Sequence, residues 1–161
     1  MTTVESSFDK VRRKLVAARI EFMGQLAKFS KNELTQQPAD SGWSPLLLAY
    51  HLYIADGLAL EQIQRVQNEE LPLLEDLAEE VPRLTNSAEP PASLDAVLAG
   101  LAARREEIFE YLSNLPEDAW VRPFRYPELG ERKFYQLVNI LPQHDQEHTR
   151  QLAAIKAQNE A

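Results

Sequence analysis

The chain has no cysteine among its 161 residues. Disulfides, a cysteine nucleophile and thiolate metal ligands are therefore excluded. Any metal must be held by histidine, carboxylate or carbonyl oxygen, and any thiol chemistry must bring its thiol on a small molecule. Long apolar runs are missing as well. The longest, residues 46–50, ends at His51, far short of the ~20 residues of a membrane span. The opening "MTTVESSFDKVRRKL" mixes charges and has no apolar h-region, so no signal peptide is read and a cytoplasmic protein is expected. Basic charge is in deficit, with 17 Lys and Arg against 25 Asp and Glu and a net charge of -8. Such a chain repels a phosphate backbone and shows no aromatic–basic groove, so nucleic acid is not an expected partner. No glycine-rich phosphate loop and no Gly-x-Ser-x-Gly elbow occur.

What is present is helical periodicity. Apolar residues make up 44% and charged residues 26%, which suits one soluble domain spanning 1–161. Phe8, Val11, Leu15, Ala18, Phe22, Leu26 and Phe29 recur at spacings of three and four, predicting a helix over 4–29. "SKNELTQQPADSG" breaks it. At "GWSPLLLAYHL", Ser44 is placed to cap a second helix, Pro45 fits its first position, and Trp43 can staple back on the first turn. Its stripe runs to about residue 68 through Leu48, His51, Leu52, Ala55, Leu58 and Ile63.

A connection over 69–92 follows, acidic and carrying Pro72, Pro82, Pro90 and Pro91, with a short helix expected over 73–80. A third long helix is predicted from a Ser93 cap to about residue 114. The segment 116–131 is aromatic and partly extended, a short hairpin or a packed loop. The last helix is predicted over 132–158, with Leu137, Ile140, Leu141, His144, His148, Leu152 and Ile155 on its inner face. Pro142 lies inside that pattern and is expected to kink or break it.

Four long amphipathic helices predict an all-α four-helix bundle. The second connection, about two dozen residues, could reach ~75 Å, whereas a 25-residue helix is only ~37 Å long. It can cross the whole bundle and let helices two and three run parallel, giving up-down-down-up order.

The chain has three histidines. His144 and His148 stand four apart, on one helix face, within the apolar stripe between Leu141 and Leu152. His51 lies on the inner stripe of the second helix. Buried imidazoles need partners. One histidine plus a His-x3-His pair can build a three-nitrogen face that leaves positions for water or substrate, as catalytic metal sites do. A pair of core or surface histidines without metal is the plainer alternative. A zincin is excluded because the pair reads His-Asp-x-Glu-His, and a di-iron bundle because Asp145 stands three before His148 but no second such repeat exists.

At "GWSPLLLAYHL" and "GERKFYQLVNILPQHDQEHTRQL" the sequence resembles the DinB/YfiT-like superfamily of metalloenzymes. His51, His144 and His148 match that family's three histidine positions. The resemblance implies an up-down-down-up bundle, often a homodimer, that holds zinc, nickel or iron. It also implies relatives such as bacillithiol S-transferases and mycothiol-dependent isomerases.

The reading is then a metal-dependent enzyme acting on a small-molecule substrate, with a divalent metal on His51, His144 and His148. It would be a thiol-dependent S-transferase or a hydrolase. Asp145 and Glu147 are candidates to orient imidazole N–H groups, with solvated helix charge as the plainer role, and Asp56 is a weaker candidate. Trp43, Tyr50 and Tyr53 could line a pocket. Arg122, Arg125 and Arg132 could receive an anion, although surface charge is preferred for them. The alternative is a non-catalytic homodimeric metal-binding or stress-response module.

Overall fold

Four of the helices begin at a serine. Ser6, Ser30, Ser44 and Ser93 each accept, on the side-chain oxygen, the N–H of the residue three further on. One backbone donor at each helix start is satisfied in this way. The computed structural model describes residues 4–38, 42–87, 89 and 93–160. The helices are α1 (Ser7–Leu26), α2 (Lys31–Thr35), α3 (Pro45–Asn68), α4 (Leu77–Ser87), α5 (Leu94–Ser113) and α6 (Phe134–Asn159). Strands β1 (Pro123–Tyr126) and β2 (Gly130–Lys133) form an antiparallel hairpin before α6. No described helix is long and apolar enough to cross a membrane.

α1, α3, α5 and α6 are the four long helices expected from periodicity. Their order follows from two core clusters. In one, the start of α3 (Leu46, Leu48, Leu52) meets the end of α1 (Phe22, Leu26), the start of α5 (Val97, Leu101) and the end of α6 (Leu152, Ile155). In the other, the end of α3 (Ile63, Val66) meets Val11 and Leu15 of α1, Ile108 and Leu112 of α5, and Leu137 and Leu141 of α6. Hence α3 and α5 run parallel to each other and antiparallel to α1 and α6, which is up-down-down-up. Gly100 lets α5 lie against the ring of Tyr53, where an added Cβ would come within 3.0 Å of it.

A charged layer separates the two clusters. Arg19 of α1, Asp56 of α3, Arg105 of α5 and Asp145 of α6 meet there, one residue from each long helix. Arg19 Nη2 donates to Asp56 at 3.0 Å and to Asp145 at 3.1 Å. Arg105 Nη2 donates to the same two carboxylates at 3.2 and 3.1 Å. Two positive and two negative charges cancel inside the bundle.

The crossover from α3 to α5 differs from expectation. The short helix expected over 73–80 is instead α4, shifted toward the C-terminus and running through Pro82. Pro82 hid its extent beyond residue 80, although packing can offset both the backbone bond and the ring clash that an in-helix proline costs. α2 also escaped prediction, because five residues give no periodicity. α6 continues through the buried Pro142 without the break expected there. Pro90, Pro91 and residues 39–41 of the first polar link lie outside the described residues.

The aromatic segment 116–131 resolves as a 3-10 turn (Glu117–Val121) followed by the hairpin. The hairpin fixes the route of the crossover: Leu74 N donates to Arg125 O at 2.8 Å, and Arg125 N donates to Pro72 O at 2.9 Å. Arg122 donates to the carbonyls of Val66 and Glu69 at the end of α3, so it serves the fold.

Truncating one member of the charged layer leaves a buried charge unpaired. Arg105→Ala should lower unfolding free energy by roughly 3–5 kcal/mol, read from urea denaturation. A loss below about 1 kcal/mol, the range of exposed pairs, would contradict the role given to this layer.

Candidate metal centre

α3 and α6 carry the three histidines to one point. The Nε2 atoms of His51 and His144 are 3.0 Å apart, those of His51 and His148 3.0 Å, and those of His144 and His148 2.8 Å. His51 and His148 are buried, and His144 is half-buried.

The outer nitrogens decide where the protons sit. His51 Nδ1 is 3.1 Å from Thr85 Oγ1, and that hydroxyl donates its own hydrogen to Val81 O at 2.7 Å. The threonine oxygen can therefore only accept, and His51 Nδ1 must donate. His148 Nδ1 likewise donates to Gln151 Oε1 at 2.8 Å. A neutral imidazole has one N–H, so Nε2 of both rings presents a lone pair to the shared point. Lone pairs 3.0 Å apart repel unless a cation, or an N–H donated by His144, lies between them.

A proton is a poor candidate for that cation. Burial, then the neighbouring charges of His144 and His148, pushes the pKa of His51 down from 6.5 to about 2. Burial and His148 hold His144 down at about 4, and burial also lowers His148. The rings stay neutral at physiological pH, the form in which imidazole binds metal. Three neutral nitrogens with two outer N–H groups pinned form a donor set that fits a divalent metal.

Trp43 packs on His51, with ring centroids 4.6 Å apart, and its Nε1 donates to Asn86 at 2.8 Å. α4 is thus tied to the start of α3 through Trp43–Asn86 and His51–Thr85. Between α3, α4 and α6 opens a pocket of ≈ 310 Å³ that reaches all three histidines. Leu77, Val81, Pro82, Ile140 and Trp43 form its apolar walls.

The structure brings the three histidines together and leaves other candidates elsewhere. Asp145 does not reach an imidazole, because its oxygens are taken by Arg19 and Arg105. Glu147 is exposed on the pocket edge and makes no hydrogen bond to a histidine among the described residues. Tyr50 and Tyr53 stack on each other away from the pocket lining. Thr85 and Gln151, which do hold the rings, were not singled out from sequence. Gln151 had one available signal, its position three residues after His148. Thr85 had none, since it lies in the crossover.

The fold and site define a four-helix bundle with a three-histidine centre beside an apolar pocket. The family model of the DinB superfamily matches residues 14–152. The chain belongs to the DinB superfamily. Among solved structures it resembles YfiT from Bacillus subtilis, described as "a probable metal-dependent hydrolase with an unusual four-helix bundle topology". That likeness has a TM-score of 0.80 at 14% identity and covers 99% of this chain and 92% of that one. It also resembles TT2238, a four-helix bundle protein, at TM-score 0.63 and 22% identity, covering 91% and 98%. A third is the mycothiol-dependent maleylpyruvate isomerase, at TM-score 0.65 and 17% identity, covering 94% of this chain and 63% of that one. At these identities the likeness shows the shared fold. No curated protein sequence matches the chain.

Two outcomes are expected at the centre. Thr85→Val removes the acceptor for His51 and should weaken metal affinity by roughly 10–100-fold, measured by competition with a chelator. The second concerns pH. His144 is lowered from 6.5 to about 4, so between those values the unfolded chain binds a proton that the metal-free fold refuses. Stability of the metal-free protein should therefore fall as pH falls through this window. Urea titrations across it should give a shallower pH slope for His144→Gln. An identical slope would contradict the burial of this ring as a neutral group.

Proposed function

We propose that the chain is a metal-dependent enzyme that acts on a small molecule, with His51, His144 and His148 as the ligands of one divalent metal. The observation that carries this reading is the convergence of three Nε2 atoms within 3.0 Å, two with their protons held on the opposite nitrogen. Zinc, nickel and iron all suit three imidazoles. Bound there, such a metal would activate a water or a thiol at neutral pH.

The chain's own residues supply the rest. Thr85 and Gln151 hold the rings of His51 and His148 in orientation, so the ligands are preorganised. Trp43, Leu77, Val81 and Ile140 wall the pocket with apolar surface and limit water around the reacting end of a substrate. No cysteine competes for the metal, so a thiol nucleophile would be a cosubstrate. Hydrolysis by an activated water and transfer to a thiol both need this same set. The hydrolase description of YfiT favours testing the first, and the thiol dependence of the isomerase the second. Association as a homodimer belongs to the same reading, and sedimentation tests it. Val16 and Ile20 on α1 are exposed apolar side chains available to such a contact.

Protein purified without a histidine tag should contain close to one divalent ion per chain by elemental analysis, and His51→Ala should lose it while staying folded. The metal-loaded protein should then turn over either ester and amide substrates or an electrophile with a small thiol. Metal at background in a folded sample would remove the reading. Metal without turnover on either panel would reduce it to a binding protein.

A further inference from the structure

The pocket beside the three histidines has a charge pattern that bears on what enters it. Its walls are apolar, and its volume of ≈ 310 Å³ lies at the small end of ligand pockets, roughly 300–1,000 Å³. Among the described residues that line it there is no lysine and no arginine. Residues 39–41 and 88–92, which flank the pocket elements in sequence, contain neither type. The two guanidiniums of the bundle interior, Arg19 and Arg105, are ion-paired with Asp56 and Asp145, with the buried Arg105 Nη1 left without a hydrogen-bond partner among the described residues. A carboxylate or phosphate on the outer part of a ligand would thus find no counter-charge among the described lining residues.

It would meet the opposite. Glu147 lies on the same helix face as the histidine pair, exposed and in the pocket lining beside Gln143. It makes no hydrogen bond or ion pair among the described residues, so its carboxylate is available to a ligand. Trp43, which also lines the pocket and packs its ring on His51, is the aromatic type that best accommodates a cation.

We propose that this pocket selects by charge: it takes a small apolar molecule bearing an ammonium or similar cation, with Glu147 as counter-ion, and it disfavours anionic molecules, including thiols that carry free carboxylates. The inference rests on the metal reading only for the end of the ligand held at the imidazoles. A single charge at close range in a partly solvated site is enough to change affinity about tenfold.

The test uses three thiols with one benzyl body and a para substituent: aminomethyl, methyl or carboxylate. The protein is loaded with cobalt(II), and binding is followed by the thiolate-to-cobalt absorption band, the thiol proton going to buffer. The ammonium thiol should bind about tenfold more tightly than the carboxylate thiol. Glu147→Gln should shrink that ratio, and Glu147→Lys should reverse it, with cobalt content and circular dichroism reporting an intact fold. A carboxylate thiol that binds the wild type as well as the ammonium thiol, or a ratio unmoved in both variants, would overturn the proposal. If cobalt does not load, the metal reading fails instead. The charge preference is then read on the metal-free pocket with benzylamine, toluene and benzoate by ligand-observed NMR, where preference for benzoate or none overturns it.

Discussion

The structure depends on one buried layer of charge. Arg19, Asp56, Arg105 and Asp145 come from the four long helices and cross-pair between the two apolar clusters. Buried charges are tolerable only when paired with good geometry. Sliding or rotating any one helix would unpair a carboxylate or a guanidinium away from water. The apolar clusters above and below supply adhesion, but adhesion between similar aliphatic faces specifies register weakly. The charged layer specifies it.

That register sets the centre. Asp145 follows His144 directly on α6, and Asp56 lies a little over one turn beyond His51 on α3. Fixing the two carboxylates against the same guanidiniums fixes the relative height of the two histidine-bearing helices. The crossover adds the remaining constraint. Stitched to the hairpin at Arg125, it delivers α4 against α3, so that Thr85 meets His51 and the pocket gains its third wall. The long connection allows parallel α3 and α5, and it also builds part of the site.

The long helices were legible because their apolar residues keep a 3.6-residue period and because serine and proline mark their starts. The three histidines were legible for a related reason: each falls on an apolar stripe, where an imidazole needs a partner. The charged layer carried the same kind of signal. Arg105 stands between Leu101 and Ile108, Asp145 between Leu141 and Leu152, and Asp56 between Leu52 and Ala59. Single charges on a helix are usually solvated, so Arg19 and Arg105 are not singled out from the sequence, while Asp145 and, more weakly, Asp56 are read as candidate partners for imidazole. Only the three-dimensional meeting of four such residues distinguishes a buried quartet from four surface charges. The later turns of α4 and Thr85 were hidden for another reason. Proline-rich composition argues for irregular chain, and packing on α3 overrides that preference.

At the centre, lone pairs from His51 and His148 are aimed at one point, their protons held by Thr85 and Gln151, in an environment that keeps the rings neutral, which is the donor set a divalent metal takes. X-ray absorption at the metal edge of protein purified without a tag tests this most directly. The account predicts outer-shell imidazole scattering and a first shell with three histidine nitrogens at about 2.0–2.1 Å for zinc, and loss of that signature in His148→Ala. A bound metal whose first shell lacks histidine, or a spectrum unchanged in that variant, would contradict it.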